Sequence, residues 1–159
     1  MQATAAKTQA SAKSLGRDLF AVMTQLMRTT TPDLFRTLGE LDLSLTQVKL
    51  LHALEDSERE LSLKDLSEAL SLSLPAASRA IEVLHHHGYV NRREDEHDRR
   101  MKRVTITRAG GAVVQRFNQT RLARLEELAA TMTPAEQRRL AAALAPLLAR
   151  PEIAEARPR

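Results

Sequence analysis

The chain has 159 residues, enough for one compact domain but too few for a typical enzyme with a separate regulatory module. Its composition, 43% hydrophobic and 28% charged, excludes wholesale disorder, and the aromatic content of 3% disfavours recognition of single-stranded nucleic acid by ring stacking. The formal net charge is only +4, so any attraction for phosphate has to come from a local cluster of basic residues.

Several chemistries lack their sequence signals. Without cysteine there is no disulfide scaffold and no thiolate zinc site. The consecutive histidines His85, His86 and His87 point about 100° apart on a helix and cannot converge on one ion, so we expect no metal, the alternative being a carboxylate site that His52 and His97 join. No phosphate-binding glycine loop, nucleophile elbow or His-Glu metal helix is present, so we expect neither an enzyme nor a cofactor. Neither a signal peptide nor a membrane span is evident, which predicts a cytoplasmic protein.

The N-terminal part reads as a flexible tail over residues 1–12, followed by a helix with a broad apolar stripe. That helix is expected to end or kink at Pro32, and a short further helix should run to Gly39. Thr46 is the predicted N-cap of the next helix, which fades in the charged stretch after Leu54.

Two short helices in close succession follow. Ser62 with Asp65 three positions later forms a capping box that opens the first helix. Ser73 caps the second, Leu74–His87, which has Pro75 in its first turn and stops at Gly88. Two helices joined by a three-residue turn predict a helix-turn-helix unit, whose second helix enters the major groove of DNA.

The remainder predicts a hairpin and two helices. Residues 89–92 and 104–107 alternate as two short strands around a polar tip, and Thr107 caps a long helix. Thr133 with Glu136 opens a last helix, in which Pro146 should produce a kink. The predicted fold is therefore mainly α with a small two-stranded β wing, a winged helix-turn-helix with a helical lobe.

The second helix of the unit has one apolar and one free face. Leu74, Ala77, Ile81 and Leu84 are predicted to face the core, and Glu82 lies on the free face. The candidate DNA contacts on this helix are Ser73, Pro75, Ala76, Ser78 and Arg79. The small uncharged residues allow a close approach to the bases, the serine hydroxyls can reach phosphate, and Arg79 suits a bidentate contact with guanine. The alternative is that Arg79 is an ordinary solvated side chain.

Positive charge concentrates in the hairpin. Between residues 92 and 108 there are seven basic side chains (Arg92, Arg93, Arg99, Arg100, Lys102, Arg103 and Arg108) and four acidic ones (Glu94, Asp95, Glu96 and Asp98). Because this run adjoins the predicted recognition helix, we expect it to reach the minor groove or the DNA backbone, although such mixed runs are often only solvated loops. Arg93 and Lys102 are the candidate contacts on the strands.

The hairpin also resembles the wing signature of MarR regulators. Its matching residues are Asp98, Arg100, Val104, Ile106, Thr107 and Gly110, and the resemblance extends over roughly residues 15 to 150. It implies that Arg100 enters the minor groove, that Asp98 holds it in position, and that Arg99 is an uncertain neighbour. The resemblance also implies a homodimer on a palindromic operator, a repressor role, and a ligand pocket between the DNA-binding lobe and the dimer helices.

A dimer is supported by the size of the interface as well, because one such module buries only about 600 to 1,000 Å² on DNA. The apolar helices at both ends of the chain need a partner. We therefore expect dimerisation helices at 13–44 and 111–152, with the DNA-binding lobe at 45–110.

Four residues are candidates for an effector pocket: Met23, Met27, His52 and Phe117. Soft, adaptable side chains with one polar group suit small phenolic ligands, whereas the alternative is plain core and dimer packing. For the whole chain, two other functions remain open: a winged-helix adaptor for protein partners, and an architectural protein that binds DNA with little regard for sequence.

Overall fold

The structure is a computed structural model that describes residues 11–95 and 102–154. In chain order the elements are α1 (Ala12–Leu41), α2 (Leu45–Glu55), β1 (Leu61–Ser62), α3 (Leu63–Ala69), α4 (Leu74–His86), β2 (Val90–Glu94), β3 (Lys102–Ile106), α5 (Arg108–Ala130), α6 (Pro134–Leu148) and α7 (Pro151–Ala154). The mainly helical prediction with a small β wing is confirmed.

α1 does not end at Pro32, so the prediction of a separate short helix is wrong. Proline cannot donate a backbone hydrogen bond to the preceding turn, and three consecutive threonines reinforce that turn instead. The hydroxyls of Thr29 and Thr30 each donate to the Leu26 carbonyl at 2.9 Å, and that of Thr31 donates to the Met27 carbonyl at 2.6 Å. Burial of the following turn then holds the helix on its course to Leu41.

Side-chain caps define where most helices begin. The predicted caps at Ser62, Ser73, Thr107 and Thr133 are confirmed, because each side chain accepts a backbone N–H of the first helical turn. Thr46 is not a cap. Ser44 takes that role for α2, accepting the Gln47 N–H while Gln47 Oε1 accepts the Ser44 N–H. The cap lies two residues earlier because Gln47 completes a capping box that the hydrophobic pattern did not reveal.

The sheet has three antiparallel strands in the order β1-β3-β2, one more than predicted. β2 and β3 pair from Val90 with Ile106 to Glu94 with Lys102, which forms the base of the wing. β1 is only two residues long and pairs Leu61 with Val104. A strand of this length shows no alternation, so sequence analysis had no signal for it.

One apolar core joins the end of α1 to α2, α3, α4, the sheet and the beginning of α5. Its largest fully buried side chains are Phe117, Leu50, Leu51, Leu66, Ile81 and Leu84. α3 and α4, the two helices of the predicted helix-turn-helix, both contribute side chains to this core, which packs them against each other. Within the described ranges, no helix is both long and apolar enough to cross a membrane.

Thr107, the N-cap of α5, joins the residues that follow α4 to the first turn of α5 through three hydrogen bonds, two to the former and one to the latter. The Thr107 hydroxyl donates to the Gly88 carbonyl at 2.7 Å and accepts the Gly110 N–H at 3.1 Å. The Thr107 N–H donates to the Tyr89 carbonyl at 3.0 Å. Gly88 itself adopts φ 74, the left-handed conformation that favours glycine after a helix.

A buried carboxylate joins α1 to α5. Asp33 is only 5% exposed, and its Oδ2 accepts from Arg124 Nε at 2.8 Å and from Nη2 at 2.7 Å. Arg36, one turn further along α1, donates to Oδ1 at 2.7 Å. The hydrogen bond from Arg124 is the main cause that holds the pKa of Asp33 below its usual value.

We expect Asp33→Asn to lower thermal stability at neutral pH and to weaken its decline in acid. A depressed carboxyl pKa in the fold contributes stability above the unfolded pKa of about 3.9, and this contribution is lost as the pH falls through the folded value. Thermal melts from pH 7 down to pH 2 measure this, with Asp18→Asn on the exposed surface of α1 as the control. Parallel pH profiles for the parent and Asp33→Asn would contradict it.

Candidate nucleic-acid interface

The helix-turn-helix consists of α3, a tight turn and α4. Ser71 in the turn has φ 52, and the Leu72 N–H donates to the Ser67 carbonyl at 2.8 Å. Ala77, Ile81 and Leu84 of α4 are buried against the core. α4 is thereby fixed on one side, and its opposite side is free to meet a ligand.

The free side of α4 carries the predicted contacts. Ser73, Pro75 and Arg79 are exposed, while Ala76 and Ser78 are half-buried. The prediction that Leu74 faces the core is wrong, because this side chain is 52% exposed. Leu74 shares the angular position of the core residues, but as the first residue of the helix it projects beyond the end of the core.

Arg79 differs from the arginines around it. Arg92, Arg93 and Arg103 on the strands all engage carboxylates. Arg79 is exposed and has no ion-pair partner among the described residues. Its guanidinium is therefore available for a new partner without breaking a contact inside the chain.

The wing candidates lie in different settings. Lys102 begins β3 and is exposed. Arg93 is also exposed, but its Nε donates to both carboxylate oxygens of Glu60 at 3.0 Å. A phosphate contact by Arg93 would have to compete with this ion pair. Asp98, Arg99 and Arg100 lie outside the described residues.

A second cluster of charges holds the base of the wing against α3. Arg103 on β3 donates through Nε to Asp95 Oδ2 at 2.5 Å, and its Nη1 lies 4.0 Å from Asp65 Oδ2. The pKa of Asp65 is lowered first by the backbone hydrogen bond from Ser62, and Arg59 adds to this effect. Sequence analysis included Arg103 and Asp95 only in a charge count, because their pairing depends on the strand register.

Two of the histidines at the end of α4, His86 and His87, pack against each other, and His87 also packs against Tyr89. The His87 ring stacks on Tyr89 with centroids 5.6 Å apart, and it meets His86 edge-on at 6.1 Å. Across residues 11–95 and 102–154, no three His, Cys, Asp or Glu side chains are grouped closely enough to hold a metal ion.

A cavity of about 480 Å³ lies between α1 and α5. Its lining residues are Leu26, Met27, Thr30, Thr31, Leu34, Phe117, Thr120, Arg121 and Leu125. Of the four pocket candidates, Met27 and Phe117 are on this wall, and Met23 and His52 are not. The threonines and Arg121 were missed because their polar side chains converge only when α1 and α5 pack together.

His52 lies close enough to Arg121, a residue of the cavity wall, for the positive charge of Arg121 to affect its pKa. Burial is the first cause that lowers the pKa of His52, and the positive charge of Arg121 lowers it further. Its Nε2 is buried and finds no hydrogen-bond partner within the described part of the chain. Both effects favour the neutral form of the imidazole over the charged form.

The chain matches one protein-family model and is similar in fold to many solved structures. The family model described as "MarR family" matches residues 41–101, which span α2 to the wing. No curated protein matches the chain. The transcriptional regulator Tm0710 from Thermotoga maritima has 19% identity and a TM-score of 0.72, over 85% of this chain and 92% of that one.

Two further solved structures show the same fold. The DNA complex of MepR from S. aureus has 22% identity and a TM-score of 0.62, over 83% of this chain and 96% of that one. A MarR family transcriptional regulator from Silicibacter pomeroyi has 27% identity and a TM-score of 0.53, over 80% of this chain and 86% of that one.

Proposed function

We propose that the chain is a regulator of the MarR type, a homodimeric repressor that binds a palindromic DNA operator and is released by a small-molecule effector. The match of residues 41–101 to the MarR family model supports this proposal. We propose that residues 45–110 form the DNA-binding lobe and that residues 13–44 and 111–152 form the dimer interface. We propose that it acts in the cytoplasm.

The free face of α4 is the observation that supports DNA recognition most directly. Small side chains at its tip allow close approach, and Arg79 one turn later is exposed and unengaged within the described residues. A planar guanidinium in that position can bond guanine O6 and N7 together. On either side, Ser73, Ser78 and Lys102 are suited to phosphate, and we propose that Arg100 enters the minor groove with Asp98 as its support.

Apolar side chains without a partner support the homodimer. They are exposed on α1, α5 and α6: Leu15, Leu19, Phe20, Val22, Met23, Met27, Leu122, Leu125, Leu140, Leu144 and Leu147. Their number is well beyond the single exposed apolar residues that are normal on a monomer. A second copy of the chain would cover these helices and present two α4 helices to adjacent major grooves.

The cavity between α1 and α5 supports the effector. Its apolar wall suits an aromatic ring, and the threonine hydroxyls and Arg121 suit a phenolic oxygen or an attached acidic group. All of its lining residues belong to the proposed dimer helices, but α5 is joined to the DNA-binding lobe at Thr107, so a ligand there could favour a conformation with wrongly spaced α4 helices.

Selection from a random pool of DNA duplexes tests the proposal. We expect the purified chain to enrich a two-fold sequence with half-sites about one helical turn apart, bound at least about 1,000-fold more tightly than random duplex. A panel of phenolic compounds should then include one that releases the selected duplex. Equal affinity for random duplex would instead indicate an architectural protein, and absence of DNA binding would indicate an adaptor.

Leu144→Glu should convert the dimer to a monomer and abolish operator binding. Leu144 lies with Leu140 and Leu147 on one apolar face of α6, and a charge there would lose at least about 3 kcal/mol of dimer stability. Equilibrium sedimentation at micromolar concentration measures the change. Ala142→Glu inserts the same charge on the opposite, exposed face of α6 and should remain dimeric. A monomeric parent chain would contradict the proposal.

A further inference from the structure

The free face of α4 contains a carboxylate that should oppose DNA binding. Glu82 follows Arg79 by three residues and is therefore its neighbour on the helix surface. Its side chain is 68% exposed. An unneutralised carboxylate beside the phosphate backbone would be repelled, and a symmetric dimer would carry this repulsion at both half-sites.

Arg92 of β2 engages this carboxylate. Its Nη1 donates to Glu82 Oε2, and its own side chain is only 14% exposed. The hydrogen bond from Arg92 is the first cause that holds the pKa of Glu82 below its usual value, and the charges of His85 and Lys102 act in the same direction. Glu82 is thus ionised in the fold, and its negative charge is balanced by an arginine that comes from the strand next to the helix.

We propose that Arg92 is a positioning residue for DNA binding, which neutralises Glu82 and turns its carboxylate away from the phosphates so that α4 can approach the groove. This inference rests on the proposed function. Arg92 does not itself need to touch DNA, because its guanidinium is largely covered and already has a partner.

The strand register separates this role from a purely architectural one. Arg92 pairs with Val104 through the backbone, and four other residue pairs hold β2 to β3 independently of the Arg92 side chain. Loss of the guanidinium should therefore leave the wing in place and expose only the charge of Glu82. If that charge is the cause of weaker binding, its removal must restore affinity.

The test is a double-mutant cycle on a duplex selected by the parent chain, measured over a series of KCl concentrations. Arg92→Ala should weaken binding by about tenfold, since one carboxylate is released at each half-site. Glu82→Gln should bind more tightly than the parent, because it leaves the Arg92 charge unbalanced beside the phosphates. The double variant Arg92→Ala/Glu82→Gln should return to within about threefold of the parent.

Any other pattern of affinities among these variants would overturn the inference. If Arg92 serves only to hold the wing, the double variant will bind as weakly as Arg92→Ala. If Glu82 itself contacts a base, Glu82→Gln will bind more weakly than the parent. Glu82→Gln changes an exposed side chain and should fold. Its DNA affinity therefore tests the inference even if neither Arg92→Ala nor Arg92→Gln folds.

A matched control separates a local effect from net charge. Arg116 donates to Glu40 at the junction of α5 and α1, where Arg36 Nε also lies 3.9 Å from Glu40 Oε1, so Arg116→Ala also removes a basic partner from an exposed carboxylate. It should change DNA affinity far less than Arg92→Ala, and an equal loss would contradict the inference. A parent chain that selects no duplex would overturn the proposed function, whereas a selected duplex without the rescue would overturn only the role of Arg92.

Discussion

Gly110→Ala should destabilise the fold by about 3 kcal/mol, although a change from glycine to alanine inside a helix normally stabilises it. A Cβ at this position would lie 2.2 Å from the Tyr89 carbonyl oxygen and 2.8 Å from Cγ1 of Ile106. The Tyr89 carbonyl cannot move aside freely, because it accepts the Thr107 N–H. Relief of the clash must therefore disturb the first turn of α5 or the beginning of β2.

Gly111→Ala is the matched control for this prediction. Its Cβ would meet only the carboxylate of Glu55 at 3.4 Å, the end of a flexible side chain. We expect Gly111→Ala to stabilise the protein by about 0.5 to 1 kcal/mol through the lower entropy of the unfolded chain. Urea denaturation measures both variants, and equal midpoints would contradict the close packing at Gly110.

Arg79→Ala should remove most of the preference for the operator over random DNA. A bidentate contact with guanine contributes about 1 to 3 kcal/mol of discrimination, and a two-fold operator would lose it at both half-sites. Affinity for random duplex should fall much less, since phosphate contacts by other residues supply that binding. Competition between selected and random duplex measures the ratio.

Two variants sharpen this test. Arg79→Lys keeps the positive charge without the planar fork, so we expect it to lose specificity nearly as completely as alanine does. Arg138→Ala removes the same charge from the exposed surface of α6 and should leave the ratio unchanged. If Arg79→Ala retained the parent's ratio while Arg138→Ala did likewise, Arg79 would be a solvated residue with no part in recognition.

The elements that sequence analysis predicted well depend on local chemistry. Ser62 with Asp65 and the series from Ser73 through Pro75 to Gly88 locate α3 and α4, because caps and helix stops act within a few residues. β1 and the uninterrupted course of α1 were missed for the opposite reason. A two-residue strand forms only because β3 lies beside it, and α1 passes Pro32 because tertiary packing holds the next turn.

In the candidate site, too, features that depend on local sequence were predicted and those that depend on tertiary contacts were not. The exposed face of α4 follows from a helical repeat, so Arg79 could be selected from sequence alone. The partners of the wing arginines could not, since Arg93 meets Glu60 from 33 positions away and Arg92 reaches Glu82 across the junction of helix and strand. The wrong prediction that Leu74 faces the core has a different cause. A periodic pattern gives the direction of a side chain on its helix but does not show where the core ends.

The bonds at Thr107 have a mechanical consequence. They join Gly88 and Tyr89, which directly follow α4, to the first turn of α5, so we expect a rotation of α5 to be transmitted to the C-terminal end of α4. α5 has 23 residues and so measures about 34 Å, and a swing of about 5° at one end displaces the other by about 3 Å. In the proposed dimer, a small displacement of the far end of α5 would therefore turn the helix-turn-helix about Thr107 and change the separation of the two α4 helices.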